Sequence, residues 1–149
     1  MNKVYHMASI LILLLVSVHL MAEESFIELW NTGTPAQITK ALKNGASVKA
    51  NEYGITPLMF AAQNNPNPEV IGVFIKNGAL INEVDPTGTT PLMYAAMQNN
   101  AAVVDALLKA GADAKLKNSD GKTAYDLAEY NEKVNRTPAY QALKNALDK

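Results

Sequence analysis

The chain has 149 residues, 48% of them hydrophobic, which is enough for one compact unit and too few for two comfortable globular domains. Its 13 basic and 14 acidic side chains leave a net charge of -1, so there is no strongly signed field to draw nucleic acid or an anionic membrane. There is no cysteine and both histidines, His6 and His19, lie within the first 22 residues; residues 23–149 therefore offer neither imidazole nor thiol for proton transfer, nucleophilic attack or transition-metal ligation.

Residues 1–22 begin with a positive charge at Lys3, run apolar from Ile10 to Val18 and end on the small residue Ala22, just before Glu23 and Glu24. A basic start, a short apolar stretch and a small residue at its end are the pattern of a secretory signal peptide cleaved before Glu23. Export to a bacterial periplasm or secretion is the expectation, with no membrane contact once the segment is removed. The alternative is an uncleaved membrane anchor, because Val4 to Ala22 carries no Asp, Glu, Lys or Arg and a spanning helix needs about 20 residues. His6, Ser9, Ser17 and His19 dilute that run, and the flank after it is acidic rather than basic. Without cysteine there are no disulfides, and stability rests on packing.

The next segment predicts two helices, at residues 26–30 with Trp30 closing the end of the core and at residues 35–43. From there the chain repeats itself. Ile55-Thr56-Pro57-Leu58-Met59-Phe60-Ala61-Ala62 matches Thr89-Thr90-Pro91-Leu92-Met93-Tyr94-Ala95-Ala96 at a spacing of 34, and a degenerate copy, residues 122–129, follows 33 residues later. A second marker keeps step: Asn44-Gly45-Ala46, Asn77-Gly78-Ala79 and Ala110-Gly111-Ala112, at intervals of 33. Thr56 and Thr90 are N-cap residues followed by proline at the first helical position, where a missing N–H costs nothing. Gly45, Gly78 and Gly111 end amphipathic runs, glycine being the residue that most easily takes the left-handed conformation. Between stops and starts lie turn formers such as Asp85-Pro86-Thr87-Gly88 and Asp120-Gly121. Leu58, Val70, Ile71, Phe74, Ile75, Leu92, Val103, Val104, Leu107 and Leu108 fall on inward faces, and the pairs Ala61-Ala62 and Ala95-Ala96 let neighbouring helices approach closely. Asn64-Asn65-Pro66-Asn67-Pro68 holds one extra residue between two helices. A last helix is expected at residues 139–147.

These residues, together with Leu107-Leu108-Lys109-Ala110-Gly111-Ala112-Asp113, resemble the ankyrin repeat. The resemblance implies an all-α repeat solenoid of four stacked helix-turn-helix units with hairpin-like loops, at about residues 23–50, 51–84, 85–117 and 118–149, the outer two acting as caps. Met59 and Met93 stand where the family commonly has histidine, so any hydrogen bonding by that histidine must be absent or replaced by packing. The family binds other proteins through a concave surface of loop tips and first helices. Carried over by position, the tips are Glu52, Tyr53 and Ile55; Pro86, Thr87 and Thr89; and Ser119, Asp120 and Lys122. The inner-helix positions are Phe60, Gln63, Asn64, Tyr94, Met97, Gln98, Tyr130 and Asn131. The residues expected to touch a partner protein are Glu52, Tyr53, Ile55, Gln63, Asn64, Thr87, Thr89, Tyr94, Met97, Gln98, Asp120 and Lys122. Tyr53 and Ile55 stand out as apolar side chains on a loop tip, whereas apolar residues at helical spacing, such as Phe60, Tyr94 and Met97, more often pack repeat against repeat.

No catalytic, cofactor or metal site is expected. Ser25, Ser47 and Ser119 have no histidine to activate them, the carboxylates are scattered, and no phosphate-binding glycine loop is present. The expected role is an exported protein-interaction module. The alternatives are a structural or protective envelope protein and a secreted effector acting on host proteins.

Overall fold

The computed structural model describes residues 26–49, 51 and 53–148. The signal segment read at residues 1–22 lies outside the described residues. Eight helices follow in order among those described: α1 at residues 26–32, α2 Pro35–Lys43, α3 Pro57–Asn64, α4 Glu69–Lys76, α5 Pro91–Gln98, α6 Ala101–Lys109, α7 Ala124–Ala128 and α8 Pro138–Leu147. They form two layers. In one, α3 packs on α5 and α5 on α7; in the other, α2 packs on α4, α4 on α6 and α6 on α8. Each hairpin of helices buries its apolar face only against its neighbours, as expected of a stacked repeat protein.

Helix starts follow from one device used four times. Thr34, Thr56, Thr90 and Thr123 accept the N–H of the residue three places on, and that residue's side chain accepts the threonine's own N–H. Gln37 and Asp126 close this box with oxygen, but Met59 and Met93 close it with sulfur, their Sδ atoms 3.4 and 3.5 Å from the Thr56 and Thr90 nitrogens. Both methionines are also buried at 1% exposure, so packing and a weak sulfur acceptor together take up the position. Helix ends follow the glycines: Gly45, Gly78 and Gly111 have φ of 97°, 90° and 95°.

Ile38, Leu58, Val70, Phe74, Val103, Val104, Leu107 and Leu143 have no exposed surface, Leu92 almost none, and both alanine pairs are equally inaccessible. Trp30 closes the first end of this core, stacked on Phe26 at 5.6 Å and edge-on to Phe74 at 5.4 Å. The last unit departs from the pattern. Its inner helix stops at Ala128 after 5 residues, and turns carry the chain to the Thr137 cap of α8.

Candidate functional site

The face formed by the loop tips and the inner layer of helices is built from three copies of one turn. Asn51, Asp85 and Asn118 each accept, on a single side-chain oxygen, the N–H groups two and four residues on: Tyr53 and Ile55, Thr87 and Thr89, Asp120 and Lys122. Backbone bonds from Asn51 to Ile55, Asp85 to Thr89 and Asn118 to Lys122 close each loop, with Gly54, Gly88 and Gly121 at φ of 77°, 76° and 73°. The tips also touch: Ser119 donates both its N–H and its hydroxyl to the Thr87 carbonyl, at 2.8 and 2.7 Å.

The middle tip is bolted to the helix beneath it. Asp85 accepts the Thr87 hydroxyl at 2.7 Å on one oxygen and the Tyr94 phenol at 2.7 Å on the other. Burial works against the charge on Asp85, but hydrogen bonds from the Thr87 hydroxyl, the Tyr94 phenol and the Thr89 and Thr87 N–H groups outweigh it and hold the carboxyl below its usual range. Burial, the bond to Asp85 and that carboxylate's charge push the Tyr94 phenol up to about 12.

Below the tips runs a row of carboxamides. Asn64 donates to Asn31 at 3.0 Å and to Gln63 at 3.3 Å, and Gln63 donates to Gln98 at 3.0 Å, so the row crosses α1, α3 and α5.

The residues named from sequence sort as follows. Tyr53 projects from its tip, 69% exposed, while Ile55 is half-buried and lines a groove of about 230 Å³ with Phe26, Ile27, Trp30, Lys49 and Phe60. Thr87, Asn64, Gln98, Asp120 and Lys122 are exposed, and Gln63, Tyr94 and Met97 are half-buried. Glu52 lies outside the described residues. Thr89 is a correction: it is buried, its hydroxyl 2.8 Å from that of Thr87 and its N–H on Asp85, so it supports the tip instead of presenting a contact. Tyr130 and Asn131 are also corrected, because α7 ends before them: Tyr130 is 83% exposed and Asn131 is buried.

Asn131 belongs to a second asparagine series that the sequence reading passed over. Asn65 donates to the carbonyls of Trp30 and Gly33, Asn99 to those of Ala62 and Asn65, and Asn131 to those of Ala96 and Asn99. Each amide thus ties its own repeat to the preceding one. The recurrence of Asn65 and Asn99 after matching helices was the available signal. Among the described residues, no three His, Cys, Asp or Glu side chains are grouped to hold a metal ion, and no helix is long and apolar enough to cross a membrane.

A stack of helix pairs bearing a rigid row of hairpin tips is the architecture of a repeat interaction module. A family profile described as "Ankyrin repeats (3 copies)" matches residues 26–118 and 58–147, and the chain belongs to the ankyrin-repeat family. It is similar to BRCA1-associated RING domain protein 1 of Caenorhabditis elegans, 33% identical over 101 residues, covering 67% of this chain and 14% of that protein. It also resembles the Ankyrin repeat protein nuc-2 of Neurospora crassa, 33% identical over 82 residues, 54% of this chain and 8% of that one. Palmitoyltransferase ZDHHC13 of Mus musculus is 36% identical over 76 residues, 50% of this chain and 12% of that enzyme. The chain thus spans at most about a seventh of these relatives, and the enzyme is matched over its repeats alone. The ankyrin repeat is a non-catalytic module that generally mediates protein–protein interaction.

Proposed function

We propose that this chain is an exported protein-binding module that holds one partner protein on the concave face made by its loop tips and inner helices. The observation that carries the reading is the fixed geometry of that face. Three identical turns, cross-linked between Thr87 and Ser119 and anchored through Asp85 and Tyr94, hold Tyr53, Thr87, Asp120 and Lys122 in one exposed row. A surface ordered before binding loses little further freedom when a partner docks. An interface of ordinary size would cover about 600 to 900 Å² of it. Export is supported by the Lys3 start, the Ile10 to Val18 run and the acidic residues from Glu23.

The test places a photo-crosslinking amino acid at Tyr53 and, separately, at Lys133 on the exposed turn between α7 and α8, in the native host. One discrete protein captured from Tyr53 and not from Lys133 is the expected result. Equal, heterogeneous capture from both overturns the concave-face reading in favour of a structural or protective role. N-terminal sequencing of the purified product is expected to begin at Glu23, and a product beginning at Met1 overturns the cleaved-export reading.

A further inference from the structure

Terminal units of a stacked repeat protein ordinarily turn polar groups outward. The first and last described units of this chain also carry apolar ones. Phe26 and Tyr53 in the first are 38% and 69% exposed, and Tyr130 in the last, at 83%, is the most exposed large apolar side chain among the described residues. Tyr130 sits on a turn that is tied down on both sides of it. The Glu129 carbonyl accepts from the Asn135 amide at 2.9 Å, and the buried Asn131 side chain donates to the Ala96 and Asn99 carbonyls at 3.0 and 2.8 Å. A ring so exposed gains little from folding, and a ring so placed loses little freedom on docking, which are the marks of an interface anchor.

The complement lies in the first unit of the same chain. In the second unit the loop tip is closed onto its helix by the hydrogen bond from Tyr94 to Asp85. Asn51 and Phe60 stand 34 residues before that pair, and Phe60 has no hydroxyl to donate. The first tip lacks this tie, and a groove of about 230 Å³ opens beside it, its apolar lining including Trp30, Ile55 and Phe60. Its polar lining comes from alternate residues of one stretch, Ser47, Lys49 and Asn51, while Val48 between them packs on the core. Asn51 uses its oxygen on the Tyr53 and Ile55 N–H groups, so what it offers the groove is an amide donor. Lys49 is exposed and is the only charged side chain among the described residues of the lining. An apolar slot with donors and one positive charge fits a ring that carries an acceptor and is flanked by carboxylates. Tyr130 has Glu129 before it and Glu132 two places after it, both exposed, with Lys133 following.

We infer that Tyr130 of one copy of this chain docks into the first-tip groove of a second copy, its phenol oxygen accepting from Asn51 and the Glu129 and Glu132 carboxylates facing Lys49. The contact joins unlike surfaces, so copies add head to tail unless they close into a ring. Centred on one side chain, it is a small interface, and the association is weak and concentration-dependent. The test is sedimentation velocity of the chain purified from its native host, from micromolar to millimolar concentration, with emission from Trp30 followed in parallel. Trp30 is the single tryptophan of the chain and lines the groove. Mean size is expected to rise with concentration and the Trp30 emission to shift with it. Tyr130→Ala removes the anchor and Lys49→Glu reverses the charge beside the groove. Both positions are exposed, so both variants are expected to keep the parental circular-dichroism melt, and each moves association to about tenfold higher concentration, as the loss of one charge-assisted bond or one buried ring dictates. Mixed, they are expected to form a one-to-one dimer that neither forms alone, because one variant keeps the groove and the other keeps the tyrosine. A chain that stays monomeric into the millimolar range, association that either substitution leaves unchanged, or a mixture no larger than its parts overturns the inference. A second copy crosslinked from Lys133 belongs to this contact, and a different protein crosslinked from Tyr53 alone belongs to the concave-face reading, so the two fail separately.

Discussion

Replacing Asn99 tests whether the repeats are held in register by buried amides or by hydrophobic contact alone. Its Nδ2 donates to the Ala62 and Asn65 carbonyls, both at 2.9 Å, its Oδ1 accepts the Asn100 N–H at 2.8 Å, and the residue is 4% exposed. Ala62 lies near the end of α3, and the residue four places on is Pro66, which has no N–H; Asn99 therefore supplies a donor that the helix cannot. Asn99→Ala leaves two buried carbonyls without that donor. At about 1–3 kcal/mol for each unsatisfied buried group, and with partial relief by water entering the space left, the loss is about 2–4 kcal/mol. With a urea slope of about 2 kcal/mol per molar, the midpoint followed by helical circular dichroism falls by about 1–2 M. Asn99→Asp keeps the volume but sets a carboxylate against two carbonyl oxygens, so it is expected to be less stable than the alanine variant at neutral pH. Burial and those oxygens raise the folded pKa of the new carboxyl, so its penalty is present above that value and is relieved as pH falls through it. An alanine variant within about 0.5 kcal/mol of the parent, or an aspartate variant more stable than the alanine at pH 7, would refute the idea that donation by Asn99 joins the repeats.

Three further outcomes follow from the same geometry. Tyr94 is expected to ionise near 12 in an ultraviolet titration, and Asp85→Asn to lower that value by removing the facing carboxylate. Because Asp85 is held below its usual range, its contribution to stability is present above the unfolded value of about 4 and is lost as pH falls through the folded one. Because Tyr94 is raised, its contribution is complete below about 10 and is lost as pH rises through about 12; a parent and a Tyr94→Phe variant whose stability difference does not change across either limit would contradict this. Phe74→Ala, at a position with no exposure that packs edge-on against Trp30, is expected to lower stability by about 3–5 kcal/mol by thermal or urea unfolding. Thr90→Ala should cost about 1 kcal/mol and Thr90→Ser much less, since the cap is the hydroxyl's acceptance of the Met93 N–H.

The helices were legible because their signals are local. Thr-Pro starts and Asn-Gly-Ala stops act within a turn of the backbone, and α2 falls on residues 35–43 as read. The projecting tips were legible from Asp85 to Gly88 and from Asp120-Gly121 for the same reason. Thr89 was misplaced because the same short side chain can either face solvent or satisfy its own turn, and the choice depends on Asp85 closing onto Tyr94, a contact made only after the helix and loop have packed. Asn65, Asn99 and Asn131 escaped because asparagine just after a helix ordinarily reads as a polar loop residue. Its role appears when the carbonyls of the previous repeat come within reach, some 32 to 37 residues away in sequence. Asn131 was further disguised by the shortness of α7, which shifts it off the inner helix.

The two amide series divide the work of this solenoid. The buried asparagines use their donors on carbonyls of the preceding repeat, and so they fix how each repeat sits on the last. The surface carboxamides of Asn31, Asn64, Gln63 and Gln98, two of them half-buried, bond mainly to one another, side chain to side chain, where water competes and each bond contributes little. Stability alone would favour ordinary solvated charges at those positions, as on the outer helices. A row of neutral donors and acceptors, held at the spacing set by the buried series, instead has its worth in what it meets. The same packing that the Asn99 substitution would disturb therefore sets the spacing on which the proposed recognition would depend.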